Sequence, residues 1–259
     1  QMITYANVVS RFDLKKAINI LENFLKLEPK TNRSFIRQRV NARGSLSILY
    51  ADIGNNKRSE ELTIESVNLI DPTDTRFRDI YVLTMNNYYL EIGKRGQSQG
   101  AINGYLELIQ YVDKNFGYNS ILKQELLNNL GFLYGAIKDN ENALKYFLES
   151  EKLSEKFKQN RNLAITRMNI GDIHFWSGDN KKANNYYKLA LEIIEYASLK
   201  TKIFLYAGLC KTEALLGNYD QALIYGNEGL EFAKKLHGVN HPSNLTLLDS
   251  LALANSYKK

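Results

Sequence analysis

Apolar residues recur along this chain at intervals of three and four, in paired blocks separated by short polar turns. Leu126, Leu127, Leu130, Leu133 and Tyr134 form one such block, and Ala143, Leu144, Phe147 and Leu148 form its partner. That spacing predicts amphipathic helices, two to a unit. The turns between partners are brief: Gly54-Asn55-Asn56, Gly96-Gln97-Ser98, Lys138-Asp139-Asn140, Gly178-Asp179-Asn180 and Gly217-Asn218-Tyr219-Asp220. Glycine takes the left-handed conformation that ends a helix, and Asn or Asp caps the next one. Turns this short permit only antiparallel helix hairpins. The three prolines, Pro29, Pro72 and Pro242, fall between hairpins rather than inside helices.

The hairpins repeat. A small residue recurs at Ala17, Ser59, Ala101, Ala143, Ala183 and Ala222, every 39 to 42 residues, and 12 positions before the last five stand Ser47, Tyr89, Gly131, Gly171 and Cys210. The constant interval lies inside a packed helix pair, and the variable one is a surface connection, where insertions cost little closure entropy. This places repeats at 33–73, 76–116, 120–158, 160–197 and 199–238, with partial repeats at 1–30 and 242–259. The expected fold is all-α: a single right-handed superhelical solenoid over 1–259, of about twelve helices, with Gly131, Gly171, Ala143 and Ala183 buried where helices cross. Such a stack offers a long concave surface and usually performs no chemistry.

The unit Leu127-x-x-Leu130-Gly131-x-x-Tyr134, followed by Ala143, Phe147 and Ser150, resembles the tetratricopeptide repeat (TPR) family, as does Ile170-Gly171-x-x-His174 with Ala183, Tyr187 and Ala190. Ala17, Leu21, Phe24 and Pro29 resemble the second helix of a unit whose first helix is mostly missing, and Leu253-Ala254-x-x-Tyr257 a first helix without its partner. The segment 236–242 is similar to the linker of the longer kinesin-light-chain-type repeats. Ser59, Tyr89, Gly226 and Gly229 depart from the family pattern. The resemblance implies that first helices line the inner groove and that the residue two before the small packing position points into it. Those residues are Asn87, Asn129 and Asn169, doubled as Asn86-Asn87 and Asn128-Asn129. An amide both donates and accepts, so a ladder of them can hold the backbone of an extended peptide, as similar residues do in peptide-sensing bacterial TPR regulators. The competing reading is compositional, because the chain is rich in asparagine throughout. Asp172, Lys94 and Lys211 would set charge preference in the same groove or stand merely solvated. Trp176 is a candidate anchor for a ligand side chain. Phe175 divides between that role and core packing, and His174 occupies a register held elsewhere by tyrosine. The paired basic residues of the carboxylate-binding TPR type are not evident.

The net charge of +6 and pI near 9.1 raise the possibility of a nucleic-acid partner, but basic and acidic residues are interleaved. The densest basic run, Arg33, Arg37, Arg39 and Arg43, is expected to be a solvated helix face, with an acidic partner as the alternative. No apolar run approaches bilayer-spanning length, and Gln1-Met2-Ile3-Thr4 lacks a signal pattern. Cys210, the single cysteine, falls in a register held by glycine and is expected to be a small buried residue. His237 and His241 are separated by Gly238 and followed by Pro242, which argues against a metal pair. No phosphate loop or catalytic triad is legible. Ends that fall inside repeats suggest a piece of a longer protein. The expectation is a non-enzymatic peptide- or protein-binding scaffold without cofactor or metal, from a bacterial signalling or regulatory protein. It would be cytoplasmic or a periplasmic sensor domain. Alternatives are an assembly or cargo-docking scaffold, or the regulatory arm of a sensor kinase or nucleotide cyclase.

Overall fold

A computed structural model describes residues 2–10, 13–27, 35–236 and 244–258. Among them are thirteen α-helices and no strand. The chain forms two compact units, Gln1–Leu122 and Lys123–Lys259. The first holds α1 (Met2–Val9), α2 (Leu14–Leu27), α3 (Ile36–Asp52), α4 (Asn56–Val67), α5 (Arg78–Lys94) and α6 (Ser98–Phe116). The second is built from α7 (Ile121–Ala136), α8 (Asn140–Lys156), α9 (Asn160–Trp176), α10 (Asn180–Leu191), α11 (Leu199–Leu215), α12 (Tyr219–Leu236) and α13 (Leu245–Lys258). The short α1 supplies a first helix to the N-terminal unit, its Ala6 buried with Ala17 and Leu21. At the other end α13 stands as a first helix, packed on α11 and α12. Pro29, Arg33, His237, His241 and Pro242 lie outside the described residues.

The hairpin turns are closed from both sides. At the α9–α10 turn Gly178 has φ +82°, and the Gly178 and Asp179 amides bond back to the carbonyls of Phe175 and His174 at 3.0 and 2.9 Å. The Asp179 carboxylate then accepts the Lys182 amide, capping α10. The α7–α8 turn has the same geometry without glycine: Lys138 takes φ +63°, and Asp139 caps α8 through the Asn142 amide.

Packing follows a small-against-large rule. Gly131 and Gly171 are buried, and a Cβ on either would lie 2.8 Å from the Phe147 ring or 2.6 Å from the Tyr187 ring, so each aromatic lies directly on bare helix backbone. Ala143 and Ala183 are fully buried, as expected. The departures from the repeat pattern are locally compensated. Tyr89, where a small residue is usual, lies over Gly104, whose added Cβ would be 2.1 Å from the Tyr89 ring. Ser59 hydrogen-bonds Ser47 at 2.9 Å, and Thr63 joins the same buried cluster at 3.0 Å from Ser47. Gly226 and Gly229 admit Leu251 and Leu247 of α13 close to the α12 backbone. Cys210 is buried beside Gly226, and burial pushes its thiol pKa up to about 11.

The arginine run is not a solvated face, which corrects the sequence expectation. Arg39 is buried, Arg37 pairs with Asp79 at 2.6 Å, and Arg43 reaches Glu65 at 3.0 Å, where Arg58 also bonds. The reason is tertiary: α4 and α5 bring acids to a helix whose own sequence holds almost none. No helix among the described residues is long and apolar enough to cross a membrane.

Candidate functional site

In the second unit α7, α9 and α11 are the first helices of three successive hairpins. The residues that follow their small packing positions are Phe132, Asp172 and Lys211, so these three share one register. Between α7 and α9 opens a cavity of about 160 Å³. Phe147 of α8 floors it, Phe132, Gly135 and Ala136 come from α7, and Asn169, Asp172, Ile173 and Trp176 from α9. Trp176 is 62% exposed and Phe132 47% exposed, large apolar surfaces left open to solvent at the rim.

The polar side is ordered by hydrogen bonds. Asn169 Nδ2 donates to Asn128 Oδ1 at 3.1 Å, and Thr166 Oγ1 donates to the same oxygen at 3.1 Å. Asn169, a rung of the expected amide ladder, thus bonds Asn128, the neighbour of the Asn129 rung, across adjacent first helices, which fixes the Asn169 side chain beside the cavity. The Tyr187 hydroxyl donates to Asp172 Oδ1 at 2.6 Å. Burial pushes the Asp172 carboxyl up to about 6 against the opposing pull of that hydrogen bond. The same burial and the adjacent carboxylate drive the Tyr187 hydroxyl far above its ordinary value, so it remains a donor.

Of the residues singled out in the sequence, Asn128, Asn169, Asp172 and Trp176 are brought together here. Asn129 is half-buried on α7. The Lys211 ammonium lies 4.8 Å from the Phe175 ring centre, and Phe175 packs against the buried cluster of Tyr187, Leu205 and Leu209. His174 stacks on Tyr186 at 5.5 Å, as Tyr134 stacks on Tyr146 at 5.4 Å, so it fills the tyrosine register as a packing residue. Asn86, Asn87 and Lys94 belong to the first unit. Asn87 is exposed, and exposed Lys94 pairs with Glu91 at 3.0 Å. Asn86, expected in the groove, is instead 3% exposed, and its carbonyl and amide oxygens accept from the Tyr105 hydroxyl at 2.8 and 3.0 Å. Tyr105, on the second helix of the same hairpin, thus holds Asn86 inward. Sequence reading took Phe147 only as a packing residue and overlooked Phe132, although the position of Phe132 directly after Gly131 was a usable signal. Among the described residues no group of three or more His, Cys, Asp or Glu side chains could hold a metal ion.

A tetratricopeptide repeat family model matches residues 123–195, the two hairpins α7–α8 and α9–α10 that build this cavity. Those two hairpins are similar to tetratricopeptide repeats. Response regulator aspartate phosphatase I of Bacillus subtilis (strain 168) is 34% identical over 153 residues, which cover 58% of this chain and 37% of that protein, so the chain matches little more than a third of its curated relative. The structure of aspartyl phosphate phosphatase F from Bacillus subtilis superposes with a TM-score of 0.66 at 16% identity, covering 98% of this chain and 64% of that one. A Rap protein complexed with competence and sporulation factor gives a TM-score of 0.63 at 12% identity, covering 99% of this chain and 86% of that one. These likenesses establish the fold, helical hairpins of the tetratricopeptide type.

Proposed function

We propose that this chain is the peptide-binding part of a larger bacterial signalling regulator, and that the face of α7 and α9 in its second unit receives the peptide. The observation that carries this reading is the cavity between Phe132 and Trp176. A space of about 160 Å³ matches one aromatic or branched side chain, since apolar cavities of about 150 Å³ hold a benzene ring. Exposed aromatics at its rim gain most when a ligand covers them. Asn169 and Asn128 stand beside the cavity as amides of the kind that meet a peptide backbone. The Bacillus subtilis relative adds a regulatory context, because its name places it in response-regulator signalling.

The test is peptide affinity at unchanged helicity. Peptides selected on this chain from a random library bind about threefold to tenfold more weakly to Asn169→Ala, the loss of one net hydrogen bond. Binding to Phe132→Ser is weaker still, because the rim loses its apolar contact. Affinity that survives both substitutions excludes this face. A second reading follows from the same relative: the full protein acts on a response regulator, which would appear as faster loss of phosphate from a phosphorylated response regulator when the full-length protein is added.

A further inference from the structure

The hairpin α11–α12 carries a basic and aromatic cluster that shares no residue with the cavity. The Lys202 ammonium of α11 lies 5.3 Å from the Phe232 ring centre, and the Lys235 ammonium of α12 lies 5.7 Å from the same centre. Tyr206 stacks on that ring at 5.5 Å. Phe232 and Lys202 are half-buried and Lys235 is exposed, so the cluster opens to solvent. Among the described residues neither lysine has an ion pair, whereas the adjacent Lys234 pairs with Glu231 at 2.5 Å.

The repeat shows how this came about. Lys202 stands eight positions before Cys210, as Lys123 stands eight before Gly131, and Glu228 follows Ala222 by six, as Glu149 follows Ala143. In the α7–α8 hairpin that lysine is buried and meets that glutamate at 3.3 Å. In α11–α12 two aromatic residues undo the pair. Tyr206 stands where α7 has Leu127, and its hydroxyl faces Glu228. Phe232 stands where α8 has Leu153, and Lys202 lies over its ring. Burial, with Glu228 beside it, pushes the Tyr206 hydroxyl up to about 12, so it remains a donor to that carboxylate. Each ammonium gains from the negative face of the ring, but two of them at one ring repel each other. An anion set between them turns that repulsion into attraction, and the apolar ring behind them strengthens it by excluding water.

We infer that Lys202 and Lys235 form a binding site for a phosphate monoester, held over Phe232. Phosphate fits better than carboxylate. Ammonium groups act as point charges towards a tetrahedral dianion, and their flexible stems can close on it from two sides. Carboxylate recognition favours the planar fork of arginine, and α11 and α12 contain none. A phosphorylated side chain of a partner protein and a free small phosphate ester share this chemistry.

The test is calorimetric titration of the full chain with inorganic phosphate, with a short glycine-rich peptide carrying phosphoserine, and with the same peptide unphosphorylated. Phosphate-dependent, saturable binding is expected, and the unphosphorylated peptide should not bind. Lys202→Gln and Lys235→Gln should each weaken binding about tenfold at unchanged helicity, the loss of one charge-assisted hydrogen bond. Lys181→Gln removes the same charge from an exposed position on α10 and should change affinity by less than about twofold, because a dispersed surface charge is screened. A phosphopeptide that binds more tightly than inorganic phosphate identifies a phosphorylated side chain as the ligand, and equal affinity identifies a free phosphate ester. No phosphate-dependent binding, binding that survives both lysine substitutions, or an equal loss in Lys181→Gln overturns the site. Any of these leaves the peptide-docking reading of α7 and α9 standing, because the two sites have no residue in common.

Discussion

Replacing Asp172 by Asn should stabilise the protein at neutral pH. The carboxyl titrates near 6 in the fold against an ordinary 3.8, so folding disfavours its charged form. That difference, at 1.36 kcal/mol per pH unit, amounts to about 3 kcal/mol of destabilisation at neutral pH. The sign follows from linkage: a raised acid pKa means the cost is full above the folded value and relieved as pH falls through about 6 toward 3.8. Asparagine keeps the shape and still accepts the Tyr187 hydroxyl, as the protonated acid would. Thermal melts followed by far-ultraviolet circular dichroism should therefore place Asp172→Asn roughly 6 to 12 °C above the wild type at about pH 7.5, using about 2 to 4 °C per kcal/mol for a chain of this size. The gap should close by about pH 4.5, where the wild-type carboxyl is itself neutral. A variant that melts below the wild type at neutral pH, or an offset that does not change with pH, refutes the picture of Asp172 as a carboxylate held without a counter-ion.

The same melts check three further expectations. Gly171→Ala forces its Cβ onto the Tyr187 ring and should cost about 1 to 3 kcal/mol, whereas Gly44→Ala, with nothing within 4 Å of the new Cβ, should gain about 0.5 to 1 kcal/mol in the middle of α3. Lys138→Gly should gain about 1 kcal/mol by relieving the left-handed conformation at φ +63°. Burial would raise the Glu213 carboxyl, but Lys188 at 2.7 Å and Asn218 at 2.6 Å outweigh it and hold it below its ordinary value. Urea titration of Glu213→Gln should show a deficit of about 1 to 3 kcal/mol at neutral pH that fades as pH falls below about 4.5, since a lowered acid pKa contributes stability only while the acid is ionised.

The repeat itself was legible in the chain because its determinants are local. Helical periodicity, turn residues such as Asp139 and Gly178, and the constant 12-residue step between small residues act within one hairpin, so spacing alone located α7 to α10 and the burial of Gly131, Gly171, Ala143 and Ala183. Part of the candidate site followed, because Asn169, Asp172 and Trp176 sit at repeat-fixed registers on one first helix. What the sequence left open depended on partners from other helices. Tyr89 has room only because Gly104 faces it, Asn86 is withdrawn from solvent by Tyr105, and Arg37 is neutralised by Asp79, 42 residues away. Asp172 acquires its character in the same way: burial between helices raises its pKa, and the choice of Tyr187 rather than a cation as its neighbour leaves its charge unmatched. Hairpin formation is short-range and readable from a window of residues, while electrostatics and size complementarity arise from distances between helices that only the packed structure sets.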